Sequence, residues 1–413
     1  MLSLRFVIVV LTFPLLSMSA HAALCNAMGV TRNPDGSYNF ARLITNERGS
    51  VVDSQNPDCV VKLLGFNFGW ADSDHVEGLQ EERLVAWKQI LPWNLDRLTI
   101  NARWWRDNVA VPTYGNAPFR DVLGALIQQN KKNGIYTEIN IDAQFPNPPC
   151  VKGGKCASQN QAAKEYDNNC QPYIQAGKPL DCMPWATYLN MYVPPDGSPS
   201  MAKLALADLA RIYGDDPSVI FDIFNEWGDH DKVVSNKDIY FKEMNERIAL
   251  VHSIAPQALV IVYASYFKDI KRGGHAFPRH NIVIDYHVYK DRFDGAKFVQ
   301  NNLTFDQAHG WGAIVNEYGG SSGSLINPSV LAELYFVAKS GGVGLVEWAP
   351  NKLLENRKPP FVLNDMGRMV CAAYSKLFNM ATQSCGPFPK DFPDAVPQAG
   401  GAPPLPDWFS TPR

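Results

Sequence analysis

The stretch Val219-Ile220-Phe221-Asp222-Ile223-Phe224-Asn225-Glu226-Trp227-Gly228 decides the fold. Its β-branched and aromatic residues predict a buried strand that ends at Glu226, and Gly228 predicts a turn directly afterwards. The stretch Ala313-Ile314-Val315-Asn316-Glu317-Tyr318-Gly319-Gly320 follows the same plan. Buried strands rarely contain a charged residue without a specific role. Two strands that each end in Asn-Glu therefore predict a pair of carboxylates that act on one substrate.

Strand and helix patterns alternate on both sides of these two stretches. Strand-like runs lie at 61–67, 97–103, 135–141, 218–224, 258–264, 281–287, 312–317 and 343–348. Helical patterns lie between them at about 80–91, 119–133, 200–213, 237–254, 296–308, 328–340 and 366–379, and Gly134 and Gly214 occupy positions expected of helix C-terminal caps. Eight strands alternating with helices predict an α/β fold, a (β/α)8 TIM barrel with a long disulfide-rich loop after strand three. A doubly wound sheet is the main alternative, but the sequence lacks the G-x-G-x-x-G loop expected there.

Composition divides the chain into three parts. Residues 1–22 predict a secretory signal, because Arg5 is their only charged side chain, an apolar run follows it, and Ala20-His21-Ala22 offers a cleavage site. Residues 23–385 form the predicted catalytic barrel, in which 145–200 is an inserted loop rich in Pro, Gly and Cys. Residues 386–413 are a Pro-rich C-terminal tail. We therefore expect a secreted or periplasmic protein.

The cysteines also fit an exported protein. The chain has 8 cysteines, all after residue 22, and an even number in an exported chain indicates disulfides. They form an N-terminal pair, a cluster of four and a C-terminal pair, namely Cys25 and Cys59; Cys150, Cys156, Cys170 and Cys182; Cys371 and Cys385. Pairing within each group is the simplest expectation. A zinc site is the alternative, but the cluster contains neither a Cys-x2-Cys pair nor a histidine.

Charge and composition argue against several kinds of partner. The formal net charge is −3, which gives no reason to expect a nucleic acid. No segment after residue 22 is long and apolar enough for a membrane helix. The 8 histidines are scattered without a His-x-His pair, so we expect no metal ion and no other cofactor. A monomer is the simplest expectation for the assembly.

In a TIM barrel the active site is built at the C-terminal ends of the strands, so those ends predict the site. They supply carboxylates, amides and aromatic side chains: Asn67, Trp70, Arg103, Asp142, Gln144, Asn225, Glu226, His287, Tyr289, Glu317 and Trp348. No serine or cysteine in an elbow motif is among them. Glu226 ends the fourth strand and Glu317 the seventh, from which their side chains can converge across the barrel mouth. Glycoside hydrolysis with retention requires two carboxyl groups about 5 Å apart.

Residues 61–379 resemble the family 5 glycoside hydrolases, cellulase-type members of a superfamily whose catalytic glutamates end strands four and seven. The resemblance rests on Asn225-Glu226, Glu317, His287-Val288-Tyr289, Arg103 and Trp348 as they stand in this sequence. It implies that Glu226 is the acid/base and that Glu317 is the nucleophile.

The same resemblance implies roles for the neighbouring side chains. Asn225 would hydrogen-bond the sugar 2-hydroxyl, and Tyr289 or His287 would contact the nucleophile or the substrate. Arg103 would hold Glu317 ionised. Trp348 would offer a flat floor to the sugar at the cleavage site.

The chain also departs from the family pattern. Gln144 stands where the family often has a histidine, which affects sugar contacts more than the chemistry. The family does not require an amide before the nucleophile, so we expect Asn316 to face away from the sugar. Asp222 and Glu138 lie inside strands and are interpreted as structural. Glu347, beside the last strand end, is the rival carboxylate.

These observations predict a secreted retaining β-glycosidase that cuts an oligo- or polysaccharide, a β-glucan or a β-mannan, at internal linkages through a glycosyl-enzyme intermediate. An exo-acting β-glycosidase or transglycosylase is one alternative, and a non-catalytic carbohydrate-binding barrel is another. A metal-dependent barrel hydrolase is a third, which sensitivity to chelators would favour.

Overall fold

Eight parallel strands close into a barrel, and helices pack around it. This computed structural model describes residues 25–70, 87–111, 114–142, 199–225, 237–264, 270–271, 276–289, 295–319, 328–348, 353–356, 361–380 and 385. The predicted signal at 1–22 and tail at 386–413 lie outside these residues, as does the predicted loop at 145–200 apart from its last two positions. The closed barrel confirms the (β/α)8 TIM fold predicted from the sequence.

The described elements follow one another in the order that a TIM barrel requires. Five short strands come first: β1 (Val30–Arg32), β2 (Tyr38–Phe40), β3 (Leu43–Thr45), β4 (Val51–Asp53) and β5 (Asn56–Val60). The barrel strands are β6 (Leu64–Trp70), β7 (Leu95–Asn101), β10 (Tyr136–Asp142), β11 (Val219–Asp222), β12 (Val260–Tyr263), β13 (Ile282–Tyr289), β14 (Gly312–Gly319) and β15 (Gly344–Trp348), and β15 pairs with β6. Two small hairpins complete the strands: β8 (Ala110–Val111) with β9 (Ala117–Pro118), and β16 (Leu354–Asn356) with β17 (Val362–Leu363).

Helices connect the strands and cover the outside of the barrel. They are α1 (Ala102–Asp107), α2 (Phe119–Lys132), α3 (Met201–Tyr213), α4 (Lys237–Ile254), α5 (Gly295–Ala308), α6 (Pro328–Gly341) and α7 (Asp365–Leu377). Gly134, just after α2, has φ 65°, a left-handed conformation that glycine adopts readily. Gly214 caps α3 in a right-handed conformation, and a Cβ there would lie 2.4 Å from the carbonyl oxygen of Ala210. None of the described helices is long and apolar enough to cross a membrane.

The second barrel strand differs from its predicted bounds in a way that matters for the site. β7 ends at Asn101 and α1 begins at Ala102, so the prediction that Arg103 ends a strand is wrong. The charged pair Asp96 and Arg97 obscured the bounds of this strand: the sequence prediction began at Arg97 and left out Leu95 and Asp96. Both side chains are fully buried inside the fold, where partners from other elements contact them.

Side chains that line the inside of the barrel form two layers. The lower layer is apolar and contains Leu95, Ile220, Ile261, Val283, Ile314 and Val346. The upper layer, toward the C-terminal ends of the strands, is polar and contains Arg97, Glu138, Asn140, Asp222, Asp285, His287, Asn316 and Glu317. Since TIM barrels place their sites at this end, the polar layer is the floor of the candidate site.

The short N-terminal strands close the lower end of the barrel. Leu43 of β3 and Val51 of β4 belong to the same apolar cluster as the lower layer. Tyr136, at the start of β10, donates hydrogen bonds to the carbonyl oxygens of Gly29 (2.7 Å) and Ala41 (2.9 Å). The N-terminal segment is therefore part of the barrel core.

Two disulfides fasten the ends of the described chain. Cys25 pairs with Cys59, and Cys371 pairs with Cys385, which confirms the expected pairing within the N-terminal and C-terminal groups. The first bond joins residue 25 to β5, and the second joins residue 385 to α7. The four cysteines of the central cluster lie outside the described residues.

Candidate active site

Arg97 lies at the centre of the upper layer with its side chain fully buried. Its Nη1 donates to Oε1 of Glu317 (2.6 Å), and its Nε donates to Oε1 of Glu138 (3.0 Å). Its Nη2 donates to Oδ1 of Asn225 (2.6 Å) and to Oδ2 of Asp222 (3.4 Å). One guanidinium thus joins four side chains from β10, β14 and the segment that contains β11.

The burial of a charged guanidinium is sustained by these carboxylates. Burial alone opposes the charge of Arg97, but Glu317, Glu138, Asp222 and Asp285 together raise the pKa of Arg97 well above its ordinary value. A planar guanidinium with five donors can serve several acceptors at once, which a lysine ammonium on a flexible stem does less well. Arg97 is therefore a permanent positive charge beneath the barrel mouth.

Glu317 receives a hydrogen-bond donor on each carboxylate oxygen. Oε1 accepts from Arg97, and Oε2 accepts from the hydroxyl of Tyr289. Nδ1 of His287 lies 3.5 Å from Oε2 of Glu317, and Nε2 of the same ring lies 3.3 Å from Oδ2 of Asp285. A guanidinium and a phenol at one carboxylate favour its ionised form and fix the direction of both oxygens.

A β-bulge in β14 precedes Glu317. Val315 and Glu317 pair with consecutive residues of β13, Tyr286 and His287, so Asn316 is an extra residue in the strand. The pairing of β14 with β15 shifts at the same point. As a result, Asn316 and Glu317 both contact side chains of the upper layer, although neighbouring residues of a regular strand face opposite sides.

The upper layer contains more acids than cations. Burial raises the pKa of Glu138 well above its ordinary value, against the opposing effect of Arg97. Burial likewise raises the pKa of Asp222 to about 6, although Arg97 lowers it. Burial and Arg97 thus act in opposite directions on both acids, which share one guanidinium with Glu317.

The structure brings several predicted site residues together. Four of them lie in or beside the upper layer: Asn225, His287, Tyr289 and Glu317. Asn225 is held by its hydrogen bond from Arg97. Arg97, in the third position of β7, makes an ionic contact to Glu317 (2.6 Å). The predicted strand was placed two residues too late, so Arg103 lies in α1, and its contact to Glu317 stays a prediction.

Other predicted residues lie partly or wholly outside the described residues. Glu226 and Gln144 are outside them, so their roles stay predictions. The backbone of Trp70 ends β6 and that of Trp348 ends β15, as predicted, whereas their side chains and those of Arg103 and Asp142 are outside the description.

Two expectations about neighbouring residues are settled by contacts. Asn316, expected to face away from the sugar, donates to the acids of the upper layer, because it lies two residues after Ile314 and therefore on the same inner face of β14. Glu347, the rival carboxylate, is buried beside Tyr318 and Tyr374, on the side of β15 that faces the helices. Burial raises the pKa of Glu347 well above its ordinary value, which favours its neutral form, and the side chain lies away from the site.

The sequence interpretation missed Arg97 and the inward position of Asn316. A charged residue in the middle of an apolar run, Leu95–Asn101, is the signal that could have located Arg97, since a buried arginine needs anionic partners. No signal in the sequence marks the bulge. Among the described residues, no group of three or more His, Cys, Asp or Glu side chains is arranged to hold a metal ion.

Three solved structures share this fold. They are the catalytic domain of the major endoglucanase from Xanthomonas campestris pv. campestris (TM-score 0.51, 16% identity, 82% of this chain and 100% of that chain), the endocellulase from Pyrococcus horikoshii (TM-score 0.52, 13% identity, 82% and 98%) and endo-glycoceramidase II from Rhodococcus sp. (TM-score 0.50, 16% identity, 76% and 79%). At such identities the likeness shows the barrel fold alone.

Sequence comparison identifies the family. A search of curated proteins gives no match. The family model described as cellulase, glycosyl hydrolase family 5, matches residues 65–352, which span the barrel from β6 to β15 and exceed half of the chain. The chain therefore belongs to glycosyl hydrolase family 5, and it is a retaining glycoside hydrolase like the other members of that family.

Proposed function

We propose that the enzyme is a secreted, endo-acting β-glycosidase that cleaves a β-glucan or a β-mannan, with Glu317 as nucleophile and Glu226 as acid/base. The observation that carries the proposal is the pair of contacts at Glu317, a buried guanidinium on one oxygen and a phenol on the other. Such contacts keep a carboxylate ionised and aimed, which attack on an anomeric carbon requires.

The reaction proceeds by double displacement. In the first step, an oxygen of Glu317 bonds to the anomeric carbon while the bond to the leaving oxygen breaks and Glu226 gives that oxygen its proton. In the second step, Glu226 takes a proton from water, whose oxygen attacks the anomeric carbon and releases Glu317. The sugar keeps its configuration because the carbon is inverted twice.

The remaining site residues hold the substrate in this proposal. The bond from Arg97 to Oδ1 orients the amide of Asn225, which supports a role for Asn225 at the sugar 2-hydroxyl. Tyr289 and His287 aim the nucleophile from β13. Sugar-contacting roles are proposed for Trp348, Trp70 and Gln144.

A substrate panel tests the choice of polymer and the mode of cleavage. Two of the structural neighbours are named for cellulose or glucan and one for a glycoceramide, so the panel contains a β-glucan, a β-mannan and a glycosphingolipid. We expect reducing ends from the glucan or mannan, with internal fragments of mixed length at early times. Release of terminal sugars alone would support the exo-acting alternative, and no release from any substrate would support a carbohydrate-binding barrel.

Two substitutions test the catalytic assignment. Glu317→Ala should abolish turnover, because it removes the carboxylate that attacks the anomeric carbon. Glu226→Ala should lose activity toward polysaccharide, and azide should partly restore it with activated aryl glycosides, because azide can attack the glycosyl-enzyme without a base. Full activity of the Glu317→Ala protein would refute the assignment.

The predicted export signal at residues 1–22 can be tested by expressing the full chain. We expect a culture that expresses the full chain to accumulate an enzyme outside the cytoplasm whose N-terminus follows Ala22. An enzyme retained in the cytoplasm with residues 1–22 attached would contradict the predicted signal.

A further inference from the structure

Asn316, the extra residue of the bulge in β14, lies in the middle of the buried acids. Its Nδ2 donates to Oε1 of Glu138 (2.6 Å), and it lies within hydrogen-bond distance of Oδ2 of Asp222 (3.3 Å) and Oδ2 of Asp285 (3.5 Å). The side chain is fully buried. These acids come from β10, β11 and β13, so one neutral amide joins β14 to three other barrel strands.

Chemistry fixes which end of the amide faces the acids. An amide oxygen is only an acceptor, whereas an amide nitrogen carries two donors. Turning the Asn316 amide would place its oxygen against carboxylate oxygens of Glu138 and Asp222, which are acceptors when ionised. The nitrogen therefore points to the acids, and Asn316 adds donors to the layer without adding charge.

This donor bears on the nucleophile through Arg97. Glu138 and Asp222, which accept from Asn316, are also contacted by the guanidinium that holds Glu317. Without the amide, Glu138 would keep its bond from Arg97, whereas Asp222 would keep bonds from both Arg97 and Asn140, so the loss bears most on Glu138. Each acid that draws the guanidinium weakens its attraction for Glu317, because unit charges at such distances interact strongly inside a protein.

The bulge itself points to a role at the site. An extra residue interrupts the hydrogen-bond ladder of its strand, and bulges are frequent beside active sites, where they re-aim side chains. Here the extra residue comes directly before Glu317, and its backbone leads into the backbone of the nucleophile. The side-chain contacts of Asn316 link that backbone to the adjacent strand β13 and, across the barrel, to β10 and β11.

We propose that Asn316 is a positioning residue for the nucleophile: its amide holds Glu138, Asp222 and Asp285 and anchors the bulge, so that Arg97 and the backbone of β14 present Glu317 to the substrate. The inference rests on the proposed role of Glu317. Several charged and titratable groups among the described residues face Asn316 and Glu317. They are Arg97 from β7, Glu138 from β10, Asp222 from β11, Tyr263 from β12, and Asp285, His287 and Tyr289 from β13.

Two substitutions at Asn316 and one control test the proposal. Asn316→Asp keeps the shape of the side chain but replaces a neutral donor with an acid, and Asn316→Ala removes the donor without adding one. Ile314→Val is the control, because Ile314 lies on the same strand in the apolar lower layer and its loss of a methylene costs about 1 kcal/mol of stability. The measurements are kcat/KM as a function of pH and the thermal unfolding midpoint.

We expect Asn316→Asp to move the acidic limb of the kcat/KM profile upward by about one pH unit or more, because an added negative charge opposes ionisation of Glu317. We expect Asn316→Ala to lower kcat by about tenfold or more with a smaller change in KM, and this variant decides the matter if Asn316→Asp does not fold. Ile314→Val should lower the unfolding midpoint and leave the pH profile unchanged.

The outcomes separate this inference from the proposed function. If both Asn316 variants keep the wild-type pH profile and kcat, or lose only thermal stability as the control does, Asn316 is structural and the inference is overturned. If Glu317→Ala is inactive in the same assays, the assignment of Glu317 as nucleophile stands even though the inference about Asn316 fails. If Glu317→Ala is fully active, the proposed function itself fails.

Discussion

Both faces of the barrel wall carry buried acids, but the partners of those acids differ between the inner and the outer face. On the inner face, Glu317, Glu138 and Asp222 share one guanidinium. On the outer face, between strands and helices, two acids have neutral donors: Asn130 donates to Asp96 (2.7 Å), and Tyr286 donates to Asp306 (2.5 Å). The comparison teaches that a neutral donor can satisfy a buried carboxylate away from the site, whereas the acids beneath the barrel mouth gather around one cation.

The electrostatics follow from these partners. Burial raises the pKa of Asp96 to about 7 and the pKa of Asp306 to about 8, so both acids can be neutral near physiological pH. On the inner face, Arg97 opposes the effect of burial on Asp222 and Glu138. We therefore expect changes on the inner face to affect turnover, and changes on the outer face to affect the free energy of unfolding.

The largest effect should come from Arg97→Lys. A lysine cannot serve Glu317, Glu138 and Asn225 together, so the nucleophile loses its fixed partner. We expect kcat/KM to fall by about a thousandfold or more, since breaking a buried ion pair removes about 3–5 kcal/mol. The measurement is steady-state hydrolysis of the preferred polysaccharide, with circular dichroism to check the fold.

Two other arginines provide the comparison for this result. Arg106→Lys alters a half-exposed pair with Asp208 (2.5 Å), and such pairs contribute about 0–1 kcal/mol, so activity should stay close to wild type. Arg103→Lys distinguishes the sequence prediction, in which Arg103 contacts Glu317, from the structure, in which Arg97 contacts Glu317. If Arg103→Lys caused the large loss and Arg97→Lys did not, the ionic contact to Glu317 would have been assigned to the wrong residue.

The next largest effect should come from a hydroxyl on β13. Tyr289 donates to Oε2 of Glu317 on the inner face, whereas Tyr286 donates to Asp306 on the outer face. A hydrogen bond to a charged group contributes about 1.5–3 kcal/mol, so Tyr289→Phe should lower kcat by about 10- to 150-fold. Tyr286→Phe, the matched control, should lower the unfolding midpoint and preserve kcat. Equal losses of kcat in both variants would show that the faces are not functionally distinct.

The sequence predicted the barrel well because its signals are local. Apolar runs of β-branched residues mark strands wherever they occur, and caps such as Gly134 mark helix ends, so strand count and order followed from the chain alone. The position of Glu317 at the end of the seventh strand followed from that count. The family resemblance then supplied the role of this residue.

The contacts within the site could not be predicted in the same way. Arg97 begins the predicted strand 97–103, but its partners could not be predicted because the acids that sustain it, Glu138 and Glu317, lie 41 and 220 residues further along the chain. The bulge at Asn316 depends on pairing with β13 and β15, which no local pattern encodes. Both features are products of tertiary packing.

A smaller effect, on stability alone, should come from Asp96→Asn. The pKa of Asp96 is raised from 3.8 to about 7 in the folded protein, so its contribution to stability is full below about pH 4 and is lost as the pH rises through 7. The shift corresponds to at most about 4 kcal/mol. Asp96→Asn should remove this slope, which urea unfolding between pH 5 and pH 8 measures.

An exposed acid on α2 is the control for Asp96. Asp121 is exposed in the first turn of that helix, so Asp121→Asn should leave the pH dependence of unfolding as it is in the wild type. kcat should be unchanged in both variants, because neither side chain reaches the inner face. A wild-type slope in the Asp96→Asn protein would mean that Asp96 is ionised in the folded state throughout this range.

The smallest effect should come from Glu347→Gln, which compares two glutamates on adjacent strands. Glu347 of β15 pairs in register with Tyr318, the residue after Glu317, so the two carboxylates lie at nearly the same height on opposite faces of the wall. Burial raises the pKa of Glu347 and so favours its neutral form, and glutamine is a neutral side chain of the same shape. We expect Glu347→Gln to keep kcat within about twofold, because glutamine resembles the neutral form of this glutamate. Glu317→Gln should be inactive, because the mechanism needs an ionised carboxylate at that position. Assay of both proteins on one substrate decides this, and an inactive Glu347→Gln protein with a wild-type unfolding midpoint would place a catalytic acid on the outer face.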